Sequence, residues 1–122
     1  MGDRASVLFF DRYRVSPTVY LHWHGSNVPD WLDELTRRMD GRAGDAAYAA
    51  ARFVGICHER IAGNLSLGIT SNTLRTTDLN QTEVLAALSP GDAGIVVVDT
   101  ADFTWRAFAG YLAHPSKTYR KE

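Results

Sequence analysis

Two histidines separated by a single residue are the most chemically suggestive feature of this sequence. His22 and His24 lie in the segment Tyr20-Leu21-His22-Trp23-His24-Gly25. On an extended strand, alternate side chains point to the same face, so the two imidazoles would share a face with their Cα atoms about 7 Å apart. A pair of this kind can supply two ligands to a transition metal.

A metal site would need further ligands, and the sequence does not offer an obvious third. His58 lies on the flank of a predicted helix, about 80° from the centre of its apolar face. His114 stands close to the C-terminal end of the sequence. We therefore predict no bound metal and no cofactor, and a metal-dependent hydrolase that uses His22 and His24 is kept only as an alternative.

Covalent catalysis finds less support than a metal site. Cys57 falls at the centre of the apolar face of the same helix, where a cysteine behaves as a small hydrophobic residue. Ser26 follows His24 closely, but no acid partner and no oxyanion loop accompany the two. We predict no catalytic residue, and the sequence favours a binding protein over an enzyme.

The position of the histidine pair favours the binding of an anion. The predicted strand ends at Gly25 and leads into a helix N-terminus, whose free N–H groups and dipole attract negative charge. The loop Ser71–Thr77 is rich in hydroxyl groups and contains Arg75, which can bind a phosphate with two hydrogen bonds. These residues would hold a nucleotide-like ligand if the fold brings them together. The predicted ligand-binding residues are Tyr20 and Trp31 for stacking, and His22, His24, Ser26, Asn27 and Arg75 for polar contacts.

The same residues also have a purely structural interpretation. Asn27 would cap the helix, Trp23 would join Val19 and Leu21 in the core, and the histidines would form hydrogen bonds on a solvated sheet face. Loops rich in Ser and Thr are common connections with no ligand. Both interpretations remain open at the level of the sequence.

The elements that must position these residues alternate between strand and helix patterns. Ser16-Pro17 separates two β-rich runs that we expect to form an antiparallel hairpin. The predicted strands are Ser6–Arg14, Thr18–Trp23, Leu65–Thr70, Ile95–Val98 as the central strand, and Phe103–Leu112, where a strand is favoured over a helix. The predicted helices begin near Asn27, near Asp45, and near either Asn80 or Thr77. The order β-β-α-α-β-α-β-β predicts an α+β fold with a mixed or mainly antiparallel sheet and helices packed on one face.

Length and composition are typical of a single globular domain. The chain has 122 residues, of which 45% are hydrophobic and 22% charged, and we assign residues 1–122 to one domain with a polar tail at about 114–122. A net charge of −1 argues against binding to nucleic acid or to an anionic membrane. The single cysteine, the absence of a signal-like N-terminus and the absence of a transmembrane-length apolar run indicate the cytosol.

The segment Tyr20–Gly25 resembles a short motif in a loose family of small phage and bacterial proteins. Their motif runs Tyr, any residue, His, Trp, Asp, Gly, Tyr, Pro at a strand-to-helix junction, followed by a Tyr-Ala-Ala-type helix. Here Tyr48-Ala49-Ala50-Ala51-Arg52 resembles that helix, and Ile95–Asp99 resembles a late valine-rich strand. The sequence departs from the motif where His24 replaces the acidic residue and Ser26-Asn27 replaces the aromatic residue and proline.

The resemblance implies a small, commonly non-enzymatic accessory protein of phage or prophage type. Proteins of this kind blunt host immunity by sequestering a nucleotide signal or by blocking an effector protein, an analogy at the level of the family. Our leading hypothesis is an anti-defence protein that binds a small anionic, nucleotide-derived ligand in the cytosol of the host cell. The alternative is a protein-binding inhibitor of a host defence effector, or a homo-oligomer, with Trp105, Phe108 and Tyr111 on an edge strand as the interface.

Overall fold

Five strands and three helices follow one another in the predicted order. The computed structural model of the chain describes residues 2–113; the predicted polar tail at 114–122, which includes His114, lies outside them. The strands are β1 (Ala5–Phe10), β2 (Thr18–Leu21), β3 (Leu67–Thr70), β4 (Gly94–Asp99) and β5 (Thr104–Phe108). The helices are α1 (Val28–Arg38), α2 (Ala46–Arg60) and α3 (Thr82–Ala87), and 3₁₀ turns occupy Gly25–Asn27, Thr76–Asn80 and Tyr111–Ala113.

The strands form a single mixed sheet in the order β3-β2-β1-β4-β5. β1 and β4 pair in parallel, and the β1–β2, β2–β3 and β4–β5 pairs are antiparallel. The α+β fold, the mixed sheet, the hairpin of β1 with β2 and the strand at Thr104–Phe108 are therefore confirmed. The prediction that Ile95–Val98 forms the central strand is wrong: β1 is central, and β4 lies next to it.

Apolar side chains cover both faces of the central strands. Alternate residues of β1 point to opposite sides, so that Phe9 packs on Phe53 of α2 with the ring centroids 5.5 Å apart, whereas Leu8 joins Leu85 of α3 in a second, smaller core. The prediction of helices on one face therefore holds for α1 and α2, and α3 corrects it by covering part of the opposite face. Unbroken apolar runs in β1 and β4 explain this, because burial of such strands requires cover on both sides.

Polar contacts cap α2 and link it to α1. The side chain of Asp45 accepts a hydrogen bond from the backbone N–H of Tyr48 at 3.0 Å and caps α2. Between the helices, Glu34 of α1 pairs with Arg60 of α2, and Arg38 of α1 pairs with Glu59 of α2. These ion pairs are on the surface and add little stability. They do mark the flank of α2 that faces α1.

Asp11 ties the turn between β1 and β2 to the start of α2. Its carboxylate accepts hydrogen bonds from the backbone N–H groups of Tyr13, Arg14 and Ala46, at 2.8, 3.0 and 2.8 Å. Burial alone would raise the pKa of Asp11, but these three donors outweigh it and lower the pKa below its usual value. Among the helices within residues 2–113, none is long and apolar enough to cross a bilayer.

Candidate ligand-binding groove

Strand β2 ends before the histidine pair, and this separates the two imidazoles. The predicted alternation holds as far as Leu21, after which His22 and Trp23 form a bend. Ser66 causes the bend, because its hydroxyl oxygen accepts the backbone N–H groups of His22 at 3.1 Å and of Trp23 at 2.9 Å. Trp23 is 46% exposed, so its predicted place in the core is wrong.

His24 belongs to a cluster at the start of α1. Its ring lies beside the buried Trp31, with centroids 5.6 Å apart, and its Nδ1 lies 3.3 Å from Oδ1 of Asn27. Asn27 occupies the N-cap position, but it has helical backbone angles and its side chain makes no capping hydrogen bond. Nε2 of His24 is buried and has no hydrogen-bond partner among residues 2–113. This cluster lies on the α1/α2 side of the sheet.

The protein's own Asp3 already occupies the helix N-terminus at which the sequence predicts anion binding. The Asp3 carboxylate accepts the backbone N–H of Ser26 at 2.9 Å and the hydroxyl of Tyr111, and its carbonyl oxygen accepts the N–H of Gly25 at 2.7 Å. Ser26 therefore donates to an internal carboxylate through its backbone. The N–H groups at this helix start attract an anion, as expected, but the anion comes from the chain itself.

Tyr20 instead contributes to a groove on the opposite face of the sheet, beside α3. The groove has a volume of about 220 Å³, and its apolar part is formed by Leu88 and Ile95. Its polar lining consists of Ser6, Thr18, Tyr20, Thr70, Ser71 and Asn72. Asn72 holds the loop in place by donating to the carbonyl oxygen of Ser16 and to the Thr18 hydroxyl, both at 3.0 Å. Within the described part of the chain, the hydroxyls of Ser6, Thr70 and Ser71 make no hydrogen bond and are available to a ligand.

A polar cluster lies next to Tyr20. The Tyr20 hydroxyl lies 2.8 Å from Nδ1 of His22, and the His22 ring meets that of Trp23 edge to face at 4.3 Å. Arg4 and Asp92 form an ion pair nearby: Arg4 donates to Asp92 from Nε at 3.0 Å and from its backbone N–H at 2.9 Å. The side-chain hydrogen bond from Arg4 is the largest cause that lowers the pKa of Asp92, and the charge of His22 adds to it.

The structure therefore divides the seven predicted ligand-binding residues. Tyr20 lines the groove and contacts His22 beside it, and the predicted loop reaches the groove through Ser71 and Asn72. Arg75 is exposed at the start of the 3₁₀ turn, where its backbone N–H donates to Asp78 at 2.9 Å, and it does not line the groove. The remaining four are His24, Ser26, Asn27 and Trp31, at the start of α1.

Sequence reasoning missed the residues whose partners are remote. Asp3 bonds a backbone group 23 residues away, and Arg4 bonds an aspartate 88 residues away. Neither residue stands in a recognisable motif. A signal was present only for Arg4, which shares the strand alternation of Ser6 and so points to the same face as the groove.

Neither metal chemistry nor thiol chemistry is supported within residues 2–113. No three His, Cys, Asp or Glu side chains come together there as a ligand set. Cys57 is buried in the main core, as predicted, and burial raises its pKa to about 12, which keeps the thiol protonated. No protein-family model, curated protein or solved structure matches this chain. The family resemblance of Tyr20–Gly25 therefore stays a prediction.

Proposed function

We propose that this chain is a non-enzymatic binding protein for a small anionic, nucleotide-derived ligand, and that the groove beside α3 is its binding site. The observation that carries the proposal is the arrangement around Tyr20. A half-exposed aromatic ring and free hydroxyl groups converge on one groove with an apolar floor, and the side chain of Arg4 lies near that ring, outside the groove lining. Sites for small molecules combine apolar surface with a few convergent polar groups in this way.

The size of the groove limits the ligand. Its volume of about 220 Å³ is smaller than the roughly 300–1,000 Å³ of pockets that hold drug-sized molecules. One ring would fill the groove over Leu88 and Ile95, with Tyr20 beside it. A phosphate would then lie at the rim, next to His22 and the terminal nitrogens of Arg4. The contact of Arg4 with Asp92 uses Nε and the backbone N–H, which leaves the terminal nitrogens to donate to the phosphate.

The biological setting follows from the resemblance of Tyr20–Gly25 to small phage and bacterial proteins. We infer an accessory, anti-defence role in the cytosol of the host cell, in which the protein sequesters a nucleotide signal. Blocking of a host defence effector by direct protein contact remains the alternative. The two differ in a simple observable, because a protein that only sequesters a small molecule retains no stoichiometric protein partner.

Thermal unfolding with a panel of cyclic mononucleotides, cyclic dinucleotides and ADP-ribose tests the proposal. A ligand at a hundred times its Kd adds about 2.7 kcal/mol of stability, which corresponds to a rise in Tm of about 10 °C for a domain of this size. Tyr20→Leu and Arg4→Gln should each reduce that rise by more than half. Tyr13→Leu and Arg12→Gln are matched controls on an exposed turn, and they should leave it unchanged.

Two results would contradict the proposal. One is a panel in which no nucleotide raises the Tm of the wild-type protein. The other is a nucleotide that stabilises wild type and the Tyr20→Leu and Arg4→Gln variants equally, since its site would then lie outside the groove.

A further inference from the structure

The two edges of the sheet differ in how they are protected. The edge strand β5 carries Arg106 at its centre, and charged residues on an edge discourage pairing with another chain. Its aromatic residues Trp105 and Phe108 pack against the two cores. The opposite edge, β3, lies in a stretch from Ile61 to Leu74 that contains no charged residue. It therefore lacks the charged residue that protects β5 against pairing.

The register of β3 defines which backbone groups are unpaired. The backbone N–H of His22 donates to the carbonyl oxygen of Ser66 at 2.9 Å, and Tyr20 is the partner of Gly68 in the same ladder. Because hydrogen-bonded positions alternate along an antiparallel pair, the N–H and C=O groups of Leu67 and Ile69 point away from β2. Each of these two residues thus presents one donor and one acceptor at the edge.

Gly68 stands between them, and no contact within residues 2–113 requires a glycine at this position. A Cβ atom at this position would meet nothing within 4 Å, so neither Tyr20 nor any other described residue fills the space above it. Glycine inside a strand lowers its stability, and it often marks a place where another backbone approaches closely. The glycine is thus an observation, separate from the lack of charge, that indicates a partner strand.

Apolar surface continues from the edge onto α2. Leu65 is 99% exposed and Ile69 is 60% exposed. Leu65 and Leu67 share a hollow with His58 of α2, which places this flank of the helix next to β3. At 100° per residue the flank lies about 80–140° from Glu59, the residue that faces α1. Its members include no Asp, Glu, Lys or Arg: they are Ala47, Ala51, Val54 and His58.

We propose that β3 pairs in antiparallel fashion with β3 of a second copy of this chain, with the two-fold axis at Gly68. Leu67 then lies opposite Ile69 of the second copy and Ile69 opposite its Leu67, so all the outward N–H and C=O groups of these residues find partners. A two-fold interface sets a surface against its own image. This surface suits that arrangement because it carries no Asp, Glu, Lys or Arg side chain that would be repelled by its copy.

The paired sheet would contain ten strands, and the exposed apolar residues would be covered. Ile69 and Leu67 of both copies would lie on the face that carries α2. The flanks of the two α2 helices would lie on either side of the axis. The Gly68 residues would form a pair without mutual hydrogen bonds, in which the Cα atoms approach to about 4.5 Å. A larger residue at this point would place two side chains at the axis on the α3 face.

Native mass spectrometry and light scattering of the purified protein over a hundredfold range of concentration test the state of assembly. The expected mass is twice the chain mass of 13.5 kDa. Ile69→Lys should lower it to that of one chain, because the substitution brings two positive charges to the apolar side of the axis. Ile69→Pro should do the same by removing an outward N–H that β2 does not use. Tyr13→Lys, at an exposed aromatic residue away from the edge, should leave the dimer intact.

Disulfide trapping tests the register. Cα atoms about 4.5 Å apart lie within the range for a disulfide, so Gly68→Cys should form a covalent dimer under mild oxidation, while Thr70→Cys, displaced from the axis, should not. Cys57 is buried and cannot contribute to the bond. Wild type with the mass of one chain at every concentration would overturn the proposal, as would a dimer that Ile69→Lys and Ile69→Pro leave intact. Gly68→Cys that stays reduced while Thr70→Cys crosslinks would also overturn it.

Discussion

Removal of the Asp3 carboxylate gives a quantitative test of how the start of α1 is held. In Asp3→Ala the backbone N–H of Ser26 and the hydroxyl of Tyr111 both lose their acceptor. Loss of a capping side chain costs about 1 kcal/mol, and a hydrogen bond to a charged group contributes about 1.5–3 kcal/mol. Because Asp3 and Tyr111 are partly exposed, water replaces part of this loss. We expect the free energy of unfolding to fall by about 2 kcal/mol.

Urea denaturation followed by tryptophan fluorescence measures this change directly. The midpoint should fall with an unchanged slope, and the Tm should fall by about 8 °C. Ser26→Ala is the matched control, since Ser26 donates through its backbone and should change the free energy of unfolding by less than about 0.5 kcal/mol. If Asp3→Ala were as stable as wild type, the carboxylate would not stabilise the start of α1.

The same variant tests whether the start of α1 binds an external anion. Without the Asp3 side chain, the N–H of Ser26 is free, and a helix start of this kind attracts phosphate or sulfate. Phosphate should therefore stabilise Asp3→Ala more than it stabilises wild type or Asp33→Ala, an exposed carboxylate removed elsewhere on α1. Equal stabilisation of all three proteins would mean that phosphate stabilises the protein without binding at a particular site, and that the start of α1 has no affinity for anions.

Two further perturbations address the rest of the framework. Because the pKa of Asp11 is lowered in the folded protein, its contribution to stability is present above the unfolded pKa of about 3.9 and is lost as the pH falls through the folded value. Urea titrations should then show that Asp11→Asn is less stable than wild type at pH 7, and that this difference shrinks as the pH falls below about 3.9. Gly110→Ala should lower the free energy of unfolding by about 3 kcal/mol or more, since its Cβ would lie 2.3 Å from backbone atoms of Ala93 and Gly94. A Gly110→Ala midpoint equal to that of wild type in the same titration would contradict the close packing of the turn after β5 against Ala93 and Gly94 at the start of β4.

Sequence periodicity predicted the elements well because it depends on local burial. The alternation of Val19, Tyr20 and Leu21 continues only until Ser66, from another part of the chain, bonds two backbone N–H groups and bends the strand. No local pattern could reveal that contact. The cover on both sheet faces was accessible in principle, because Leu8 follows Val7 and precedes Phe9 in an unbroken apolar run, which is typical of a strand buried on both sides.

The candidate site was predictable only in part, and for a related reason. Tyr20 and His22 lie two residues apart, so their contact follows from the strand itself. The anion at the start of α1 is the Asp3 carboxylate, and the basic group near Tyr20 is Arg4. Both act through partners that the topology of the sheet brings close. Patterns in the sequence identified residues suited to binding an anion. In the folded chain, however, the backbone N–H at the start of α1 bonds the chain's own Asp3 carboxylate.

The parallel pairing of the first and fourth strands also has a consequence for the kinetics of folding. β1 is the centre of the sheet, yet its parallel neighbour β4 begins at Gly94, paired with Ala5. During synthesis, β1 therefore emerges early and must wait for almost the whole described chain before its second edge is covered. Contacts between such distant segments slow folding. Until β4 arrives, the hairpin of β1 and β2 exposes an apolar strand edge, and this interval is when the nascent chain is most open to aggregation or to chaperone binding.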